Sequence, residues 1–258
     1  IVGSERYEQV TQSFSRPDVL SVRINTLKTT RQEILAKLSE RNIAIREVPW
    51  SAEALILEGI AREELGRMDL INDGLLYRQS LSSMLPVRVL APRPGERVLD
   101  MCAAPGSKTT QMAAMMRNEG EIIAVEAIRG RFYRLRSVLA QCGATNVATK
   151  LTDARRFRSP VLFDRILVDA PCSSEGRFKM SDPDTYAYWS PRKVKEMVRK
   201  QRGLLLHASR LLNPGGTLVY ATCTFAPEEN EGVIDWLLRK TGGRLSLEPV
   251  HFTGIQNY

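Results

Sequence analysis

The chain has 258 residues, of which 43% are hydrophobic, and it carries a formal net charge of +8 with a pI near 9.5. A chain of this length can bury one sizeable core, and the basic excess predicts a polyanionic partner, with nucleic acid as the leading class. No apolar run is long enough to cross a bilayer, and no cationic and apolar leader opens the sequence, so we expect a cytoplasmic protein without membrane contact. Because the sequence begins with Ile1 rather than Met, we also expect it to be a piece of a longer protein.

Four cysteines stand at positions 102, 142, 172 and 223 without a C-x-x-C pair, and only two histidines accompany them. This spacing argues against a structural zinc site, so we expect no bound metal and free thiols rather than disulfides. The basic residues are clustered, which favours a nucleic-acid surface over a plain solvated one. The clusters are Arg129, Arg131, Arg134 and Arg136; Arg155, Arg156 and Arg158; and Arg192, Lys193, Lys195, Arg199, Lys200 and Arg202.

Residues 1–90 are predicted to form a small N-terminal α+β region. The pattern indicates strands at 21–27 and 44–50, a helix that Thr29 or Thr30 caps, and a second helix at 80–90 that ends before Pro92 and Pro94. The basic residues of this region could form a surface that faces RNA or an ordinary solvated face, and the pattern does not choose between them.

Residues 91–258 alternate between apolar strand patterns and amphipathic helix patterns, and we predict one catalytic domain there. The predicted strands are 98–102, 122–126, 146–151, 163–169 and 216–224, and the predicted helices are 107–117, 131–141 and 191–212. Regular alternation of this kind is typical of an α/β fold with a doubly wound, Rossmann-like parallel sheet.

The stretch LVDAPCSSEG, at 167–176, places reactive side chains after a buried strand. Pro171 stops the strand, so Asp169 and Cys172 are predicted at its carboxyl end, where open α/β sheets bind ligands. Taken alone, Cys172 is better interpreted as a small packed hydrophobe. The strand predicted at 216–224, however, ends on Cys223 in the same way. If the two strands are neighbours, both thiols open into the same crevice at the carboxyl ends of the strands, where a cofactor would also bind.

The loop after the first strand of this domain, DMCAAPGSKT at 100–109, is suited to hold a cofactor at a helix N-terminus. It lacks the glycine and lysine spacing of a P-loop and the three glycines of a dinucleotide fingerprint. Glu126 ends the next strand, where a carboxylate can accept hydrogen bonds from both hydroxyls of a ribose. Asp153 follows the third strand, where it could contact the amino group of an adenine. With Asp100, these acids form the pattern of an S-adenosylmethionine site, although helix caps and surface acids would give the same spacing.

Two thiols beside a methyl donor suit methylation of carbon 5 of a pyrimidine. That carbon is a weak nucleophile until a thiolate adds to carbon 6, and a base must later remove the proton from carbon 5. Asp169 could hold the N3 and amino edge of a cytosine, and a carboxyl group in that role would need to be protonated toward N3.

The strings DMCAAPGSKT, LVDAPCSSEG and YATCTF, together with VRINTLK at 22–28, resemble the RsmB/Nop/Sun family of RNA cytosine-C5 methyltransferases. The resemblance covers about residues 20–240 in the same order and spacing. It implies that Cys223 is the nucleophile, that Cys172 assists product release and that Asp169 acts at the reaction centre. It also implies S-adenosylmethionine as cofactor, held by Cys102, Ala103, Ala104, Pro105, Gly106, Ser107, Lys108, Glu126, Arg131, Asp153 and Asp169.

Several points stay open at the level of sequence. The resemblance implies a final strand after a strand at 244–250, so we expect the last strand of the sheet to be missing from this sequence. Ribosomal RNA is the favoured substrate, while transfer RNA with the same chemistry and a non-catalytic RNA-binding ribosome assembly factor remain alternatives. DNA cytosine methylation and amino-group methylation are disfavoured, because the ENV string and the aromatic of an N/D-P-P-Y/F site are absent. We expect a monomer.

Overall fold

The computed structural model describes residues 12, 14, 15 and 19–250, so the extreme ends of the two predicted domains lie outside the described residues. The chain divides into two compact units. We call Val19–Asp169 with His207–Tyr220 the sheet unit, and Ala170–Leu206 with Ala221–Ser246 the cysteine unit. No helix among the described residues combines the length and apolar character that a bilayer span needs.

The first part of the sheet unit is a small antiparallel sheet with helices. Its strands are β1 Ser21–Ile24, β2 Ala44–Glu47, β3 Ala54–Glu58 and β4 Leu76–Arg78, in the order β2-β3-β1-β4. Its helices are α1 Arg31–Glu40, α2 Arg62–Arg67 and α3 Asp69–Asn72. Thr30 caps α1 in a capping box with Glu33, and Ile34 and Leu38 of that helix are buried, as the sequence predicts.

A five-stranded sheet forms the rest of the sheet unit. Its strands are β5 Arg97–Asp100, β6 Glu121–Glu126, β7 Val147–Leu151, β8 Phe163–Asp169 and β9 Leu212–Ala221, in the order β7-β6-β5-β8-β9. The pairings β5–β6, β6–β7 and β5–β8 are parallel. The chain order reverses between β5 and β8, and this point is where doubly wound sheets bind ligands. The predicted Rossmann-like α/β sheet is therefore confirmed.

The remaining helices are α4 Leu81–Leu90, α5 Ser107–Met115, α6 Arg129–Cys142, α7 Pro191–Leu211 and α8 Glu231–Thr241. Ser80 caps α4 through its hydroxyl, which accepts a hydrogen bond from the Ser83 amide. The strand predicted at 163–169 matches the observed bounds of β8. Ile166, Leu167 and Val168 are fully buried, as the continuous apolar run predicts.

Some predicted elements differ from the structure. The strand predicted at 216–224 is β9, which begins at Leu212 and ends at Ala221, so Cys223 lies in the loop beyond it. The strand predicted at 98–102 ends at Asp100. The strand predicted at 244–250 is wrong, because no strand forms there and Leu247 and Val250 are exposed rather than packed. A strand needs a hydrogen-bonded neighbour, and residues 244–250 pair with none of the strands in the described part of the chain.

Candidate active site

Asp100 lies at the end of β5, beside β8, where the chain order of the sheet reverses. Its side chain is buried, and its two oxygens accept hydrogen bonds from the Thr109 hydroxyl at 2.8 Å and the Cys102 amide at 3.4 Å. Burial, with a smaller contribution from the charge of Asp169, raises the pKa of Asp100 to about 7 against the opposing effects of the Thr109 hydrogen bond and of Lys108. Asp100 therefore changes its protonation near neutral pH.

Asp169, at the end of β8, is held by an ion pair with the cofactor loop. The Lys108 ammonium donates hydrogen bonds to Asp169 Oδ2 at 2.7 Å and to the Ser83 hydroxyl at 3.0 Å. The structure thus brings together Asp169 and Lys108, two of the residues that the sequence assigns to the site.

The cofactor loop, residues 102–108, is packed closely against its neighbours. The Ala103 amide donates to the Val125 carbonyl at 3.0 Å. Gly106 begins α5 with a φ of +112°, and a Cβ there would lie 3.0 Å from Val138 Cγ1 and 3.2 Å from Leu135 Cδ1. A side chain at this position would meet both the left-handed backbone and α6, so the loop requires glycine.

The amino terminus of α5 presents backbone donors. The Thr110 amide makes the first bond of the helix, to the Gly106 carbonyl at 2.8 Å, so the amides of residues 107–109 precede the helical ladder. Such amides, at the positive end of the helix dipole, suit an anionic or polar group of a ligand.

Glu126, at the end of β6, and Arg131, in α6, lie close to this loop. The Glu126 side chain is buried, and its Oε1 accepts the Ile128 amide at 2.8 Å. Arg131 stands 3.7 Å from Glu126 Oε2 and donates to the Ala104 carbonyl at 2.6 Å. Arg131 therefore links the carboxylate to the loop.

Cys102 and Asp153 have local roles in the structure. Burial raises the pKa of the Cys102 thiol, and the neighbouring carboxylates add to the effect, so Cys102 is a poor nucleophile.

Asp153 accepts a hydrogen bond from the Arg155 amide at 2.9 Å and forms an ion pair with the Arg155 side chain. The side-chain hydrogen bond from Arg155 lowers the pKa of Asp153. Contact between Asp153 and an adenine stays a prediction.

In the cysteine unit, the sulfurs of Cys172 and Cys223 lie 3.3 Å apart and are not joined in a disulfide. The Cys223 amide also donates to Cys172 Sγ at 3.3 Å. The pKa of the Cys172 thiol is raised, first because its side chain is hydrogen-bonded to Cys223 and second because it is partly buried. Cys172 therefore holds its proton and can donate it in a hydrogen bond to the more exposed Cys223 sulfur.

The segments that carry the two cysteines are tied together by hydrogen bonds. The Ala170 amide donates to the Ala221 carbonyl, and the Gly176 amide donates to the Cys223 carbonyl, both at 2.9 Å. The residues that follow the two cysteines, Ser173 and Thr224, share a hydroxyl–hydroxyl hydrogen bond of 2.8 Å. These bonds set the spacing of the two sulfurs.

Glu229 is a buried acid that the sequence analysis missed. Its carboxylate accepts the Ser173 amide at 3.0 Å and the Gln201 amide at 2.7 Å, and Gln201 also donates to the Pro171 carbonyl at 3.0 Å. The signal in the sequence is the string EENE, in which the adjacent Glu228 is exposed and Glu229 is fully buried. Nothing in the string itself distinguishes the two.

Within each unit, the structure thus groups several of the predicted residues. Asp100, Lys108 and Asp169 form one group, Glu126 and Arg131 with the loop carbonyl form a second, and the two cysteines form a third. The crevice that the thiols are predicted to share with the cofactor loop stays a prediction.

A hollow of about 520 Å³ lies elsewhere in the sheet unit, lined by residues 94–96, 164–165 and 213–217. These residues stand at the starts of β5, β8 and β9, whereas Asp100 and Asp169 stand at the strand ends. Because ligands of open α/β sheets bind at the carboxyl ends of the strands, the acids rather than this hollow form the candidate site.

Comparison with known proteins gives matches to two family descriptions. Residues 87–257 match the family described as 16S rRNA methyltransferase RsmB/F, and residues 2–62 match an RsmF/B-like, ferredoxin-like domain.

Similar individual proteins are found among curated sequences and solved structures. The ribosomal RNA small subunit methyltransferase F of Serratia proteamaculans is 42% identical over 241 residues, covering 91% of this chain and 50% of that protein. The protein of the same name from Escherichia coli is 42% identical over 240 residues, covering 90% of this chain and 49% of that protein. A solved methyltransferase homolog protein from Pyrococcus horikoshii is 35% identical with a TM-score of 0.81, covering 91% of this chain and 74% of that chain. The chain spans about half the length of the curated relatives that it matches.

Proposed function

This chain belongs to the 16S rRNA methyltransferase RsmB/F family, and on that premise we propose that it methylates carbon 5 of a cytosine in RNA through a covalent adduct with Cys223. The observation that carries the proposal is the 3.3 Å contact between the sulfurs of Cys172 and Cys223. The names of the curated relatives favour ribosomal RNA as the substrate class.

The thiol pair suits both halves of this reaction. The Cys223 thiolate forms a bond to carbon 6 of cytosine, and the electron pair of the carbon 5–carbon 6 double bond moves to carbon 5, which then takes the methyl group. A base next removes the proton from carbon 5, the double bond re-forms, and the bond between Cys223 and carbon 6 breaks to release the thiolate.

Cys172 is the proposed base of the second half. Its raised pKa is caused mainly by the hydrogen bond to the Cys223 sulfur. Once Cys223 is bonded to carbon 6, its sulfur can no longer carry a negative charge, so the largest cause of the raised pKa is removed and the partial burial of Cys172 is what remains. Cys172 is thus a thiol while Cys223 attacks, and a base when Cys223 must leave.

The residues of the sheet unit fit S-adenosylmethionine. Glu126 offers a buried carboxylate at a strand end, which suits the two hydroxyls of a ribose, and the first amides of α5 suit a polar ligand group. When bound, this cofactor supplies the methyl group. The residues proposed to hold it are Cys102, Ala103, Ala104, Pro105, Gly106, Ser107, Lys108, Glu126, Arg131, Asp153 and Asp169.

Asp169 is the proposed contact to the base. Its Oδ2 is paired with Lys108 at 2.7 Å, and an ionised carboxylate can accept a hydrogen bond from the cytosine amino group. Residues 1–90 are the proposed N-terminal RNA-facing region, and residues 91–258 the catalytic domain.

The test is a pair of cysteine variants of this chain, incubated with S-adenosylmethionine and either small-subunit ribosomal RNA or transfer RNA. Cys223→Ala should abolish methylation and the covalent adduct while cofactor binding, measured by titration calorimetry, is retained. Cys172→Ala should accumulate an RNA adduct that survives a denaturing gel, because its release lacks a base.

Cys142→Ala is the matched control, since Cys142 is a buried thiol at the end of α6. It should methylate like the unmodified chain. Full methylation by Cys223→Ala would refute the mechanism. Methylation of transfer RNA alone would change the proposed substrate from ribosomal RNA to transfer RNA. Binding of RNA without methylation would support the alternative of a non-catalytic ribosome assembly factor.

A further inference from the structure

Ser174 has a backbone conformation that a serine rarely adopts. Its φ is +64° and its ψ is +31°, in the left-handed region, at the start of the short helical turn Glu175–Arg177. Glycine enters this region without a penalty, whereas a residue with a Cβ is disfavoured there. The Ser174 side chain makes no capping hydrogen bond to the turn, so capping does not explain the residue.

The Ser174 hydroxyl instead lies at the two thiols. Its oxygen accepts a hydrogen bond from the Cys223 thiol at 3.5 Å and lies 3.9 Å from Cys172 Sγ. The hydroxyl itself donates to the Cys172 carbonyl at 3.4 Å. A serine hydroxyl has one donor, which can rotate, and an ionised sulfur is a stronger acceptor than a neutral one. When Cys223 loses its proton, the Ser174 hydroxyl can therefore turn from the carbonyl to the sulfur.

We propose that Ser174 is a further catalytic residue, whose hydroxyl donates a hydrogen bond to the ionised Cys223 sulfur and increases the fraction of reactive thiolate. This inference rests on the proposed function, in which Cys223 is the nucleophile. The disfavoured backbone is then retained because a glycine would have no hydroxyl to offer, and residues held in such conformations cluster at active sites.

Other ionisable groups lie near the pair within the cysteine unit. The Cys172 thiol is hydrogen-bonded to the Cys223 sulfur at 3.3 Å. The Glu175 carboxylate accepts the Phe225 amide at 3.0 Å and the Trp189 indole at 2.9 Å, and Glu229 accepts the Ser173 amide. Because substitutions at Ser174 alter none of these groups, a comparison of such variants isolates the hydroxyl.

Two variants separate the hydroxyl from the backbone strain. Ser174→Gly removes the hydroxyl and relieves the strain, whereas Ser174→Ala removes the hydroxyl and keeps the strain. Alkylation of Cys223 by iodoacetamide, without RNA, is followed from about pH 6 to 9 by mass spectrometry of the Cys223 peptide. At pH 7 we expect both variants to react about 3- to 10-fold more slowly than the unmodified chain, with the pH profile moved upward, since only the thiolate reacts.

Thermal melting supplies the second readout. Ser174→Gly should melt at or above the temperature of the unmodified chain, and Ser174→Ala below it. A glycine variant that is stable yet slower in alkylation and in single-turnover methylation supports the inference, because a purely structural serine would give the opposite result.

The outcomes are distinguishable from failure of the proposed function. If the unmodified chain forms no RNA adduct and no methylated cytosine, the proposed function fails. If it forms both, and Ser174→Gly alkylates and methylates at the same rates, the assignment of Ser174 is overturned while the function stands. Slower reaction of Ser174→Ala alone would attribute the effect to the backbone and would also overturn the assignment.

Discussion

Replacement of Glu229 tests whether a buried carboxylate holds the two cysteine segments in place. Glu229→Leu removes the acceptor of the Ser173 amide and of the Gln201 side chain, at 3.0 and 2.7 Å. Each buried donor left without a partner costs about 1–3 kcal/mol, so with two such donors we expect the free energy of unfolding to fall by about 2–6 kcal/mol. Urea denaturation followed by circular dichroism measures this as a lower midpoint with an unchanged slope.

Glu229→Gln should lower the free energy of unfolding by only about 1–2 kcal/mol, because the new side-chain amide still offers an oxygen to the backbone amide of Ser173. The Gln201 Oε1 atom is buried without a hydrogen-bond partner among the described residues, and after rotation of the Gln201 amide it can accept from the new side chain. Glu228 is the matched control, since it is adjacent and exposed, and Glu228→Leu should change stability by less than about 0.5 kcal/mol.

The same variants connect stability to chemistry. Ser173 follows Cys172 in the chain, so loss of its tether should also lower the yield of the covalent RNA adduct, more for Glu229→Leu than for Glu229→Gln. If Glu229→Leu and Glu228→Leu unfold at the same urea concentration and form equal amounts of adduct, the reasoning about the buried carboxylate is refuted.

Two further variants test the sheet unit. Burial raises the pKa of Asp100 from its usual value of 3.8 to about 7. Between these two pH values the folded state binds more protons than the unfolded state. The free energy of unfolding therefore falls as the pH rises through this window, by up to about 4 kcal/mol. Asp100→Asn keeps an oxygen for the Cys102 amide and can donate its Nδ2–H to the Thr109 hydroxyl. It should flatten the pH dependence of the urea midpoint; an unchanged dependence would contradict the burial argument. Gly106→Ala should cost about 1–3 kcal/mol and weaken S-adenosylmethionine binding, whereas Gly95→Ala, with a φ of +85° but nothing within 4 Å of its Cβ, should lower the melting temperature slightly and leave binding unchanged. Equal binding losses in the two glycine variants would refute the contribution of the α6 contact.

The five-stranded sheet could be predicted from the sequence because its signals are local. The continuous apolar run of β8 ends at Pro171, and the small-residue loop at 102–107 precedes an amphipathic helix, so each element is recognisable within a few residues. The antiparallel sheet was harder to predict from the sequence. β3 was missed because a short apolar run can belong to a buried helix or to a strand, and β4 was missed because it has only three residues.

The roles inside the cysteine unit required the fold. Glu228 and Glu229 are identical in type and adjacent, yet one is exposed and the other fully buried. Ser174 is one of two consecutive serines, and its left-handed backbone is visible only in three dimensions. Burial and backbone conformation depend on contacts from distant segments, which a local pattern does not contain.

The sequence by itself identified the side chains proposed to carry the chemistry: two thiols after apolar strands, acids at strand ends and a small-residue loop before a helix. Only the tertiary structure decided how these groups act on one another. Cys172 and Cys223 are 51 residues apart in the chain, and their 3.3 Å contact is the main cause of the raised pKa of Cys172. The burial that raises the pKa of Asp100 is likewise a property of the assembled sheet, because desolvation is imposed by neighbours that are remote in sequence.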